Sequence, residues 1–67
     1  MKASELSYRN LGRPIAFDLA VRGARVRVNG VLEALALTLS RITAWVVTES
    51  DAKSVPFTLL PSQEVTA

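Results

Sequence analysis

The chain has 67 residues and a net charge of +2, with 8 lysines and arginines against 6 aspartates and glutamates. A chain this short forms one domain at most, expected to span residues 1–67, and its stability margin is thin. Cysteine and histidine are both absent, which excludes disulfides and thiolate metal sites and removes the usual general base. No GxSxG, Walker or GxGxxG motif is present. We therefore expect a binding protein without catalytic activity, metal or cofactor.

The N-terminal segment carries the signals of a short helix over residues 4–11. Ser4 is a suitable N-cap, and Gly12 is a typical residue at which a helix ends. Proline disfavours helix in the residue before it, so the Arg13-Pro14 pair returns the chain to extended backbone. The segment lacks the apolar stretch of a signal peptide.

Two strands are predicted next, over residues 15–21 and 24–28. Apolar residues alternate through the first strand, and they alternate with Arg25 and Arg27 through the second. This period of two is typical of half-buried strands. The two residues between them, 22–23, are predicted to form a turn, and the arginines stand on the outer face.

A second turn is predicted at Asn29-Gly30, because both residues accept the positive φ that a type I′ hairpin requires. The run that follows, residues 31–39, is open between strand and helix. Its leucines and alanines favour a helix by propensity. We favour a strand, because the hairpin needs a partner for residues 24–28 and only this run supplies one.

The last two strands are predicted over residues 42–49 and 54–60, with a polar turn over residues 49–53. β-branched and aromatic residues dominate the first of these strands, which suits a sheet. Pro56 cannot donate a ladder hydrogen bond, so it belongs at the start of a strand or on an edge of the sheet.

This order of a short helix and then five short antiparallel strands resembles the SH3-like and Sm-like class of β-barrels over residues 4–60. Closing five strands into a barrel removes exposed edges. The resemblance therefore implies a mostly β, five-stranded antiparallel barrel with a short N-terminal helix. No signature motif of the class is present. The abundance of alanine, valine, arginine and leucine also resembles that of small bacteriophage proteins from high-GC hosts.

Positive charge is concentrated in the first half of the chain. Residues 1–30 carry six cationic and two acidic side chains, a net +4, whereas residues 31–67 carry two and four, a net −2. This asymmetry indicates a basic face and an acidic face, although a mixed solvated surface explains it equally well.

Nucleic-acid binding is one candidate function, because the guanidinium fork forms paired hydrogen bonds to phosphate. Tyr8 and Trp45 could stack on bases, but we favour a core position for Trp45, because it lies in a predicted strand beside Val47. The arginines that could hold nucleic acid or another anion are Arg13, Arg22, Arg25, Arg27 and Arg41.

Protein interaction is the favoured function. A small barrel without disulfides gains stability by burying a face against another subunit, and a basic half could meet an acidic half head to tail. The predicted interface comprises Trp45, Pro56 and Phe57. A second copy of the chain or a host protein is the expected partner, in the cytoplasm, with no small-molecule substrate. A well-filled monomer core is the alternative explanation of the apolar content.

A membrane partner is not expected. The most apolar stretch, residues 31–47, contains Glu33 and Arg41, and charged side chains are costly inside a membrane span.

Overall fold

The computed structural model describes residues 1–49 and 51–67, with Asp51 described by its backbone alone. Two 3₁₀ turns, Ala3–Glu5 and Tyr8–Asn10, are followed by one antiparallel sheet. Its strands are β1 (Pro14–Val21), β2 (Ala24–Leu37), β3 (Ile42–Thr48), β4 (Asp51–Leu59) and β5 (Val65–Thr66). They lie in the order β4-β3-β2-β1-β5. The prediction of a mostly β protein with five antiparallel strands is confirmed, and the sheet that the described residues form is open.

The single helix predicted over residues 4–11 is wrong, because local side-chain bonds favour two separate turns. The Lys2 backbone N–H donates to Glu5 Oε1 at 2.8 Å, and the Ser7 N–H donates to Asn10 Oδ1 at 2.9 Å. Such bonds compete with helix continuation, and a helix of this length is marginal by itself. No helix in the described part of the chain is long and apolar enough to cross a membrane.

The first hairpin joins β1 to β2 through a two-residue turn, as predicted for residues 22–23. Arg22 and Gly23 have φ values of 51° and 79°, and their neighbours Val21 and Ala24 are directly paired. Positive φ at both central residues defines the type I′ turn, whose twist matches that of the flanking strands.

The turn predicted at Asn29-Gly30 is wrong, because β2 runs straight through both residues. Gly30 does not have a positive φ. A Cβ atom at this position would meet the carbonyl oxygen of Val47 and, at 2.6 Å, a methyl group of Val46. The glycine therefore permits a close approach between β2 and β3, which is the other common reason for glycine in a strand.

The run after Gly30 is a strand as far as Leu37, as we favoured, and it contains a bulge. Pairing with β3 shifts register between Leu32 and Ala34, which places Leu32 and Leu35 on the same face of the sheet. A bulge adds one residue to a strand that otherwise alternates in twos. The bulge at Glu33 therefore gives Leu32 and Leu35 a three-residue spacing, which residues on one face of a helix would also have.

The polar turn predicted over residues 49–53 is shorter in the structure, where β4 already begins at Asp51. Ser50, which the prediction placed in this turn, is outside the described residues. Pro56 lies on β4, the edge strand, so its predicted position on an edge is confirmed.

The core occupies one face of the sheet, which we call the inner face. The Phe17 and Phe57 rings meet edge to face, with centroids 5.5 Å apart, although β2 and β3 separate their strands. This contact shows that the sheet curls over its inner face. The buried residues are Ala3, Leu6, Ile15, Phe17, Val28, Leu32, Ile42, Ala44, Val46, Leu59 and Val65.

Replacing Arg22 with asparagine is expected to stabilise the protein by about 1 kcal/mol. The left-handed backbone at Arg22 costs free energy for most residues, whereas asparagine tolerates it and forms the favoured Asn-Gly turn. Chemical denaturation measures the change. Arg25→Asn is the control, because asparagine is unfavourable within a strand. A loss of stability in Arg22→Asn would contradict the turn.

Candidate functional site

The turn end of the first hairpin extends beyond the rest of the sheet. β5 pairs with β1 only at Ala16 and Phe17, and β3 pairs with β2 only from Val31 onward. Residues 18–29 therefore pair with no third strand within the described part of the chain. We call this segment the projecting hairpin. A two-stranded hairpin is marginally stable by itself, so its surface gains from a further contact.

One edge of the projecting hairpin presents free backbone groups. Val21 and Ala24 flank the two-residue turn and form a hydrogen-bonded pair. Because bonding alternates along an antiparallel ladder, even-numbered residues of β2 bond to β1 and odd-numbered residues face away. The N–H and C=O groups of Arg25, Arg27 and Asn29 therefore point to the side that β3 leaves uncovered. We call these three residues the open edge.

The outer edges of the sheet are partly protected. The Nε2 of Gln63 donates to the Asp18 carbonyl oxygen at 2.7 Å on the outer side of β1. β5 is covered in turn, because the Val65 N–H donates to the Met1 carbonyl at 2.8 Å. On β4, Pro56 removes one backbone donor. Head-to-tail pairing of β4 with β5 of another copy would therefore have to displace the N-terminal residues.

The two faces of the projecting hairpin differ in chemistry. On the inner face, Val21 and Val26 are 47% and 45% exposed. On the opposite face, which we call the outer face, Arg27 Nη1 lies 3.3 Å from Asp18 Oδ1, and both side chains are partly exposed. Such surface pairs contribute less than about 1 kcal/mol. Arg25 lies opposite Ala20 and has no ion-pair partner among the described side chains.

A groove of about 1050 Å³ follows the open edge and the adjoining inner face. β3 ends beside it, and Phe57 of β4 contributes the nearest aromatic ring. Most of its lining is apolar, with Arg27 and Glu49 as the charged side chains. Its residues include Leu19, Val21, Val26, Arg27, Val28, Asn29, Val47, Thr48, Glu49 and Phe57.

The structure brings together three of the five arginines predicted to bind anions. Arg22, Arg25 and Arg27 all lie on the projecting hairpin. The carbonyl of Arg13 instead accepts the Leu32 N–H, five residues along β2 from Arg27, which is about 16 Å of strand. Arg41 lies between β2 and β3, at the far end of the sheet. The basic surface is therefore limited to one hairpin.

The three predicted interface residues are divided between the two faces. Trp45 and Pro56 are direct cross-strand neighbours on the outer face, with Trp45 half-buried and Pro56 exposed. Phe57 instead packs against Phe17 on the inner face. Trp45 therefore lies outside the core, because it stands between two buried residues of an alternating strand. Tyr8, the other stacking candidate, is exposed and belongs to the second 3₁₀ turn.

No group of three or more acidic, histidine or cysteine side chains able to hold a metal ion occurs among the residues that the structure describes. Comparisons with protein-family models, with curated proteins and with solved structures find no match to this chain.

Proposed function

We propose that this protein is a non-catalytic protein-interaction module and that the projecting hairpin is its contact element. The observation that carries the proposal is the exposure of Val21 and Val26 on a hairpin with an uncovered edge. Covering these side chains removes apolar surface from water, which favours association. The same contact would support a hairpin that lacks a third strand.

The exposed area of the whole chain supports the same conclusion. A monomeric protein of 7.3 kDa exposes about 4200 Å² by the usual scaling with mass. This chain exposes 4769 Å², an excess of about 600 Å² over that scaling. A standard interface buries about 800 Å² on each partner. The excess exposed area is therefore similar in size to the area that one partner of a standard interface buries.

The SH3-like or Sm-like barrel type forms part of the proposal. The five antiparallel strands and the curl that brings Phe17 onto Phe57 support it.

Selection from a displayed library of random peptides tests the proposed function. We expect the wild-type protein to enrich binding peptides and Val26→Asp to lower their affinity at least about tenfold, because a buried charge opposes apolar contact. Leu37→Asp is the matched control, since Leu37 is an exposed apolar residue of β2 outside the groove. Equal losses in both variants, or no enriched peptides, would contradict the proposal. Circular dichroism confirms that each variant is folded.

Nucleic-acid binding is the second candidate, favoured by the three arginines of the projecting hairpin. Arg25 and Arg27 lie on the outer face, opposite the valines, so the two functions use different surfaces. We expect fluorescence anisotropy to show no binding of single- or double-stranded oligonucleotides at low salt. Binding with a log–log salt slope of about −2 to −3, as expected for three phosphate contacts, and its loss in Arg25→Glu but not Arg41→Glu, would favour this candidate.

A further inference from the structure

We infer that the open edge of β2 accepts an added strand from a partner protein, and that this strand alternates acidic and apolar side chains. The inference rests on the proposed function, since it specifies the partner of the same hairpin. It follows from three properties of this region, which are the free backbone groups, the different chemistry of the two faces and the like charges along the edge.

The backbone of the open edge can pair with an added strand. Arg25, Arg27 and Asn29 offer an N–H donor and a C=O acceptor each, over about 13 Å of strand. β3 ends at Thr48. An added strand would lie beyond that end, in line with β3 and within the groove already described. Proteins that bind extended peptides at a sheet edge derive affinity from such main-chain bonds.

The side chains of the hairpin specify the sequence of the added strand. Successive residues of a strand point to opposite faces. Those on the outer face would meet Arg25 and Arg27, and acidic side chains there gain from cross-strand charge pairing. Residues on the inner face would meet Val26 and the apolar lining of the groove. Arg25 contributes more than Arg27 to the preference for acidic side chains, because Arg27 already contacts Asp18.

A second copy of the chain is a poor occupant of this edge. If two copies paired their β2 edges about a two-fold axis at Arg27, each Arg27 would lie opposite its own counterpart. Like charges directly opposite each other destabilise a sheet, and charged residues on edges are a known protection against self-pairing. The arginines therefore oppose self-association through this edge while they favour an acidic strand.

Short capped peptides of alternating glutamate and valine test the inference in a titration followed by NMR amide shifts. We expect the amide signals of Arg25, Arg27 and Asn29 to shift on binding. A lysine–valine peptide of the same length should bind roughly tenfold more weakly, because both charge pairs become repulsive. A glutamate–valine peptide with N-methylated alternate amides should not bind, since it cannot form a strand ladder.

Arg25→Glu provides the decisive variant, because Arg25 is exposed and has no ion pair to lose among the described side chains. It should reverse the preference between the two peptides. Four results would each overturn the inference. The first two are equal binding of both peptides and amide shifts outside the open edge. The others are unchanged binding of the N-methylated peptide and no binding at millimolar concentration. If library binders still depend on Val26 in that case, the proposed function stands without it. A wild-type dimer that Val26→Asp dissociates would likewise keep the function and overturn the acidic partner.

Discussion

Phe17→Ala is expected to remove most of the stability of this domain. Phe17 is fully buried and meets Phe57 edge to face, so the substitution loses the buried ring, the aromatic pair and the packing between β1 and β4. Changes of this kind cost about 3–5 kcal/mol. A chain of 67 residues has a total unfolding free energy of about 3–10 kcal/mol. Urea denaturation should show a large fall in the midpoint, or no folded baseline.

Tyr8→Ala is the control for Phe17→Ala. Tyr8 is 86% exposed, so its removal should change the unfolding free energy by less than about 0.5 kcal/mol. A cost below about 1 kcal/mol for Phe17→Ala would be too small for a buried aromatic residue. It would contradict the curled sheet that brings the two phenylalanines together.

Gly30→Ala is expected to cost about 1–3 kcal/mol, because the added methyl group overpacks the contact between β2 and β3. The atoms it would meet include the backbone carbonyl of Val47, which cannot rotate away as a flexible side chain would. Denaturation midpoints compared with the wild-type protein measure the cost.

Asn29→Ala distinguishes the continuous strand β2 from the turn that the sequence predicted at Asn29-Gly30. In the structure, Asn29 is an exposed strand residue, so its replacement should change stability by less than about 0.5 kcal/mol. In a type I′ turn, both Asn29 and Gly30 would be needed for positive φ. Similar losses in Asn29→Ala and Gly30→Ala would therefore favour the turn and contradict the continuous β2.

The sequence predicted the strands well where one face is buried and neighbours lie close in the chain. Strands expected over residues 15–21, 42–49 and 54–60 correspond to β1, β3 and β4. Their alternation and β-branched content reflect local preferences that the fold does not override. The face occupied by Arg25 and Arg27 was predictable for the same reason.

Features that depend on distant parts of the chain were not predictable. Gly30 is explained by the backbone of Val47, which is 17 residues away in the sequence. The bulge at Glu33 turns a strand pattern into one that imitates a helix, and nothing in the leucine spacing distinguishes the two. In both cases the deciding interaction is tertiary.

The sequence predicted only part of the candidate site. Alternation placed Val26 on an inward face, and the residue does lie on that face, yet it is 45% exposed because no third strand covers the hairpin. The hairpin lacks a third strand because β3 ends before it reaches that part of β2. The lengths of the two strands would have indicated it, since β2 has 14 residues and β3 has 7, but the false turn at Asn29-Gly30 divided β2 in two.

Amide hydrogen exchange of the dilute protein tests the central claim most directly, because it reads each backbone N–H of the projecting hairpin separately. The structure predicts slow exchange at Val26 and Val28, which bond to β1, and fast exchange at Arg25, Arg27 and Asn29. This alternation would establish the open edge on which the proposed interaction depends. Protection at all five amides would contradict it, since the edge would then already be covered.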